Sequence, residues 1–387
     1  MRAAGGWLFA RRWANMGRAH ASGEGDPAAP VRTADFDYEL PPDRIAQAPP
    51  PDRASARLLV LDRATGAVSD HTVADLPALL RPGDLLVLND TRVIPARLFA
   101  TRATGGAVEL LLLRPAVEGA WRAASEWVAL ARPARRLRAG EALLPLPRPA
   151  AGTAAPEAPP GPVRILEVLG EGRFAVGLPV PADAVPAFLE RFGEVPLPPY
   201  IHERLQDPER YQTVYARVAG SVAAPTAGLH FTPDLLRALE ARGVARTAVT
   251  LHVGLGTFRP VAADDPREHR LHAEWFEVGT DAEEAVRAAR ARGGRVVAAG
   301  TTAVRTLESV AAGAQIRARS GWTDLYILPG WRFRAVDALL TNFHLPRSTL
   351  LMLVAAFGGV EPVLAAYRHA VAAGYRFFSF GDAMLVV

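Results

Sequence analysis

Several short strings combine histidine, hydroxyl and carboxamide side chains with glycine, a mixture suited to proton transfer on a small polar ligand. Residues 223–231 place Thr226, Gly228 and His230 within five positions. Small residues let a ligand approach the backbone, and an imidazole carries a proton near neutral pH; a lone histidine also packs readily in a core. Residues 251–258 bring His252, Gly254, Gly256, Thr257 and Phe258 to what reads as a strand end. That pattern is consistent with a loop around a cofactor, although it lacks the third glycine of a dinucleotide fingerprint. Residues 268–274 form the densest titratable cluster, with Glu268, His269, His272 and Glu274. Acid–base chemistry, structural hydrogen bonding and a metal held by His269, His272 and Glu274 all remain open. The spacing is not that of a zincin, and in a strand His272 and Glu274 share a face while His269 points away.

Other strings suit anions and polar ligands. Gly300, Thr301 and Thr302 precede a helix carrying Arg305, where unpaired N–H groups and the helix dipole favour a carboxylate or phosphate. Asn89, Asp90, Thr91 and Arg92 follow a strand, so they either contact a ligand at its carboxyl end or form an Asx-turn. Asn342, Phe343 and His344, together with Asp382, add polar groups near the C-terminus. Arg132, Arg135, Arg136 and Arg138 lie within seven residues with no acid among them. They read as a phosphate contact or as solvated surface.

The elements positioning these strings fall into two textures. A hairpin is expected over 57–62 and 67–73, followed by a strand at 85–88. Strands at 108–113, 127–131, 163–168 and 174–178 follow with no helix among them, which points to a small barrel or sandwich. Residues 145–162, rich in Pro and Ala, read as a surface loop. Beyond 185 strands alternate with helices. Thr232 caps a helix to Arg242, a strand covers 248–253, and 275–278 is extended. Thr280 and Glu283 have capping-box spacing for a helix to Arg292. A strand at 295–299, a helix at 302–312, strand 325–328, helices at 349–357 and 362–373, and strand 377–380 complete the pattern. The expected fold is a two-domain α/β (α+β) chain: a larger α/β domain (33–95 and 185–387) interrupted by a small all-β barrel-like domain (96–184).

Composition excludes several functions. The 387 residues include no cysteine, which removes disulfides, thiolate nucleophiles and cysteine metal sites. The longest uncharged apolar stretch, 348–360, is shorter than a membrane span. Every basic residue counted is arginine, which argues against Schiff-base chemistry. Of the net charge of +4, +3 resides in residues 1–32. The rest is nearly neutral, so any RNA contact must be a local patch. Residues 1–32 read as a disordered extension or an upstream start, with Met16 or a later residue as the working one; a transit peptide is the alternative.

Taken in order, residues 36–41, 89–98, 196–201, 210–215, 222–231, 250–258, 300–309, 341–346 and 375–384 closely resemble the S-adenosylmethionine:tRNA ribosyltransferase-isomerase family of queuosine biosynthesis. The likeness runs from about residue 33 to the C-terminus. Ala303, Leu271 and Phe380 stand where the family usually has Ser, Met and Tyr. The resemblance implies ribosyl transfer from S-adenosylmethionine to the 7-aminomethyl-7-deazaguanine wobble base of tRNA. Isomerisation to epoxyqueuosine would follow, with release of adenine and methionine. S-adenosylmethionine is then a consumed substrate and no cofactor or metal is implied; a monomeric, cytoplasmic enzyme without a membrane partner is expected. Its chemistry would assign acid–base roles to His230, His252 and His272, with Asp90 and Glu274 as partners. Thr301, Thr302 and Arg305 would hold the methionine carboxylate, and Thr257, Phe258, Asn342 and Phe343 would frame the nucleoside. Asn89, Thr91, Arg92, Thr226, Gly228, Gly254, Gly256, Gly300, His344 and Asp382 would complete the substrate site, and Arg132 to Arg138 would meet tRNA phosphates. The rivals are a metal-dependent hydrolase using His269, His272 and Glu274, and a non-catalytic RNA-binding protein.

Overall fold

A computed structural model of the chain describes residues 31–116, 124–147, 158–203, 205, 207–254 and 261–387. The expectations for residues 1–30, for Gly256, Thr257 and Phe258, and for the middle of the Pro/Ala loop lie outside the described residues.

The continuous apolar runs form the centre of a nine-stranded sheet. Leu85–Asn89, Val296–Ala299 and Ala338–Asn342 are buried at every position, as strands covered on both faces must be. Leu85 and Val87 enter one core cluster while Leu86 and Leu88 enter another, one on each face. Four strands run parallel in the order Ala245–Leu251, Leu85–Asn89, Val296–Ala299, Ala338–Asn342. Glu274–Val278 and Arg319–Thr323 extend one flank antiparallel. On the other flank Ala383–Val386 runs antiparallel to Ala338–Asn342, and the hairpin Arg57–Leu61/Val68–Thr72 closes the order. Helices Thr280–Ala291, Thr301–Ser309, Thr349–Gly358 and Val360–Ala372 cover one face, and Pro233–Ala241 lies on the other.

Six strands form the second body. Arg97–Arg102, Ala107–Pro115, Glu126–Arg132, Arg173–Gly177, Val163–Gly170 and Ala142–Pro145 pair antiparallel in that order, and the last pairs back with the first. Closure leaves no unpaired edge. Helix Val185–Phe192 buries Val185, Phe188, Leu189 and Phe192 in the barrel core, and Gly193–Glu194 pairs with Leu98 and Arg97. The return to the α/β layer therefore comes after Glu194 rather than at 185. Among the described residues no single helix is long and apolar enough to cross a membrane.

Three local expectations are corrected. Thr232 does cap its helix, accepting the Leu235 N–H at 3.1 Å, but Thr280 does not. Gly279 takes the N-cap position, and Glu283 turns instead to the Ala318 N–H at 2.6 Å. Residues 325–328 are not a strand; the flank strand is Arg319–Thr323. The apolar run 377–380 is a tight turn ahead of the last strand, because Phe378 adopts φ +75° and the Asp382 carboxylate draws in the Arg376 N–H at 2.8 Å.

Candidate active site

Parallel strands all end at one edge of a sheet, the usual ligand side of such folds. Asn89, Leu251, Ala299 and Asn342 mark that edge here. Asn342 stands opposite Ala383 in the antiparallel partner, which brings Gly381 and Asp382 to the same edge. Ser221 crosses the edge by accepting the Val253 N–H at 2.9 Å. Beyond it the short helical turn Thr226–His230 lies across the ends of the inner strands, with Ala227 against Gly300. The strings at 89–92, 223–231, 251–254, 300–302, 342 and 381–382 are thereby gathered along one line.

Several of these side chains hold the edge together. The Asn89 amide accepts the Leu251 N–H at 3.0 Å and donates to the Leu251 carbonyl at 3.1 Å, tying two strand ends. The buried Asp90 carboxylate accepts the Thr250 hydroxyl at 2.6 Å and the Arg217 guanidinium at 2.8 Å. Arg92 pairs with Glu209. Asp382 accepts the Arg57 and Arg376 N–H groups at 3.0 and 2.8 Å, which fixes the turn carrying Phe378. Glu274 accepts the Gly254 N–H at 2.7 Å and forms a buried ion pair with Arg305. Arg305 also donates to the Leu325 carbonyl at 2.9 Å. The guanidinium expected on a substrate carboxylate is thus committed to holding two loops against its helix.

The histidines separate into four environments. His230 is 3% exposed, and its Nε2 has no hydrogen-bond partner. Burial, with the positive charges of Arg376 and Arg53, pushes its pKa down to about 4, so it is neutral at neutral pH and able to accept a proton. His252 places Nδ1 2.8 Å from the Thr91 hydroxyl and stacks on Trp275; burial pushes it down to about 3. Gly220 leaves room for that ring, since a Cβ there would lie 2.5 Å from Nε2. His344 bonds the Thr341 hydroxyl at 2.8 Å, and its carbonyl accepts the Tyr38 hydroxyl. It sits within a core of Tyr38, Phe343, Tyr367 and Phe377, and burial pushes it down to about 3. His344 and Phe343 therefore pack behind the edge rather than framing a ligand. His272 is exposed, away from the inward-facing Glu274.

Five polar atoms near the Thr226–His230 turn are buried without partners: His230 Nε2, Thr302 Oγ1, Asn342 Oδ1, Thr213 Oγ1 and Tyr215 Oη. Gly228 brings the turn against Tyr215 and Thr213; a Cβ at Gly228 would collide with the Tyr215 hydroxyl. Asn342 donates its Nδ2 to the Phe378 carbonyl at 3.0 Å, which leaves its oxygen toward His230. Thr301 starts the adjoining helix and is buried, while Thr226 is half-buried at the head of the turn. Orphaned buried atoms are uncommon in folded proteins, and a cluster of them is a set of groups that a bound ligand or ordered water would satisfy. Tyr215, Thr213 and Arg53 escaped the sequence reading, because a hydroxyl or guanidinium in an irregular segment has no periodic signature. The only sign for Thr213 and Tyr215 was their place in the string 210–215; Arg53 had none.

The metal reading finds no geometry: among the described residues no three His, Asp or Glu side chains converge on a cation position. Arg132, Arg135, Arg136 and Arg138 are exposed in the loop after Glu126–Arg132, at the barrel end away from the sheet. None makes an ion pair with a described residue.

The family model described as "Queuosine biosynthesis protein" matches residues 33–386. An S-adenosylmethionine:tRNA ribosyltransferase-isomerase of Symbiobacterium thermophilum is 52% identical over 92% of this chain and 100% of its own. One from an Anaeromyxobacter species is 55% identical over 92% and 99%. The crystal structure of the S-adenosylmethionine tRNA ribosyltransferase of Thermotoga maritima is 37% identical, with a TM-score of 0.51 over 91% of this chain and 100% of that one. The chain belongs to the queuosine biosynthesis protein family, the family of the S-adenosylmethionine:tRNA ribosyltransferase-isomerases.

Proposed function

We propose that the chain transfers the ribosyl group of S-adenosylmethionine to the aminomethyl nitrogen of 7-aminomethyl-7-deazaguanine at the tRNA wobble position. It then isomerises that group to the epoxycyclopentane of epoxyqueuosine. Adenine and methionine leave, S-adenosylmethionine is consumed, and no resident cofactor takes part.

The observation carrying this reading is the set of unpartnered polar atoms around Thr226–His230, on a sheet edge built from the family's strings. The sulfonium acidifies the neighbouring ribose 5′ carbon, so a neutral base is needed beside it, and departing adenine needs a proton. His230 is the group placed for both tasks: buried, uncharged and unpartnered at Nε2. The enclosure that depresses its pKa also keeps bulk water from the intermediates. His252, tied to Thr91, orients the strand end from which Gly254 departs. His272, on the surface, is left for contact with tRNA, as are the arginines from Arg132 to Arg138. An anticodon loop offers its base without melting a duplex, so a flipped wobble base can enter the edge.

Incubation with labelled S-adenosylmethionine and tRNA bearing the precursor base tests the reading. Adenine should be released with that tRNA and not with tRNA carrying unmodified guanine. Release without the precursor, or none with it, overturns the proposal.

A further inference from the structure

With Arg305 committed to Glu274, the anionic end of the sulfonium donor requires another seat. A small recess opens beside His230, with Pro49, Pro50, Leu229 and Phe380 as apolar walls and Arg53 and Arg210 as its charged groups. Arg53 donates to the Leu229 and Glu209 carbonyls, each at 3.0 Å. Arg210 donates to the Pro51 carbonyl at 3.1 Å and to that of Pro50. Every one of these acceptors is a neutral backbone oxygen. A guanidinium has five N–H donors, so both side chains are held in place and still have donors for an anion. Of the nearby carboxylates, Glu209 pairs with Arg92 and Asp382 with Arg376, while the charges of Asp207 and Glu209 also reach Arg53. Arg53 and Arg210 stand close enough for each to feel the other's charge, and His230 feels Arg53 and Arg376.

We infer that this recess seats the carboxylate of the donor's amino-acid tail, with Arg53 and Arg210 as its binding residues. A compact anion on an aliphatic stem suits a small slot with apolar walls. A phosphodiester carries a sugar on each side and needs an open groove. The assignment rests on the proposed reaction, and it would place the sulfonium and ribose toward His230.

The test measures adenine release with precursor-bearing tRNA from two donors: S-adenosylmethionine and its decarboxylated form, which keeps the sulfonium. The wild-type protein should favour the carboxylated donor about tenfold or more in kcat/KM, as expected for charge-assisted hydrogen bonds. In Arg53→Gln and in Arg210→Gln that ratio should collapse toward one, with KM for tRNA unchanged. A ratio of two donors does not depend on the folded fraction, so a poorly folding variant still reports. An unchanged ratio in both variants overturns the inference, as does a raised KM for tRNA with the ratio intact, which would give the recess to a phosphate. Absence of adenine release from either donor in the wild-type protein would instead overturn the reaction on which the inference rests.

Discussion

The barrel and the sheet edge solve opposite problems with the same chain. The barrel interior is apolar, with Leu98, Leu110, Leu112, Phe174 and Val176 buried together, and its strands close on themselves. At the sheet edge buried hydroxyl, imidazole and amide atoms lack partners, Phe378 holds a positive φ, and glycines stand where a Cβ would collide. The first arrangement buries apolar side chains and pairs its strands around a closed sheet. The second leaves polar groups unsatisfied in a form that a bound substrate would complete. Local departures from good packing are expected at functional sites and are compensated elsewhere, here by the Asn89, Asp90, Asp382 and Glu274 ties behind the edge.

That contrast can be broken in order of expected effect. His230→Ala should lower kcat by about 10²–10⁴-fold in protein kept below its melting transition, which the cavity left by the buried ring also lowers. A large loss of stability with turnover retained would make His230 a structural residue. Glu274→Gln should destabilise by about 3–5 kcal/mol, since it leaves the buried Arg305 charge uncompensated; denaturant unfolding reads this directly. Leu110→Ala in the barrel should cost about 2–5 kcal/mol while kcat below the melting transition stays near wild type. Lost catalysis in the intact fold would show that the barrel does more than support.

Acidification sharpens the comparison further. His230, His252 and His344 have depressed folded-state values of about 4, 3 and 3. Between pH 6.5 and those values the unfolded chain binds protons that the folded chain refuses. Stability should therefore fall as pH drops through that window, by up to about 1.4 kcal/mol per pH unit for each histidine. His344→Asn should flatten the slope without changing the donor preference. The smallest effect belongs to the barrel surface: Arg135→Gln with Arg136→Gln should reduce the salt dependence of tRNA binding by about two phosphate contacts. An unchanged slope would remove this loop from the tRNA interface.

Much of the edge was legible because parallel strands announce themselves as apolar runs and their carboxyl ends as polar, glycine-rich breaks: Asn89 after Leu85–Leu88 and Gly300 after Val296–Ala299, whereas the short strand Ala338–Asn342 ahead of the Asn342 break went unread. Side-chain duty at the edge was less legible. His230 and His344 sit in similar short strings, yet one faces a recess while the other is tied to Thr341 and Tyr38. Arg305 meets Glu274 across 31 residues of sequence, a pairing that no local spacing encodes. Ala142–Pro145, four residues long and flanking a Pro/Ala stretch, carries too little pattern to read as the strand that closes the barrel.

Sequence alone determined the types of the longer elements, the apolar faces, the lack of thiol and lysine chemistry, and the strings that mark the family. Each of these is set within a few consecutive residues by periodicity, turn chemistry or composition. Tertiary structure alone decided which polar groups brace the edge, which remain unpartnered, and that Arg53 and Arg210 flank His230. Those outcomes depend on contacts between segments far apart in the chain, where burial and the competition for hydrogen-bond partners are settled only once the layers have packed.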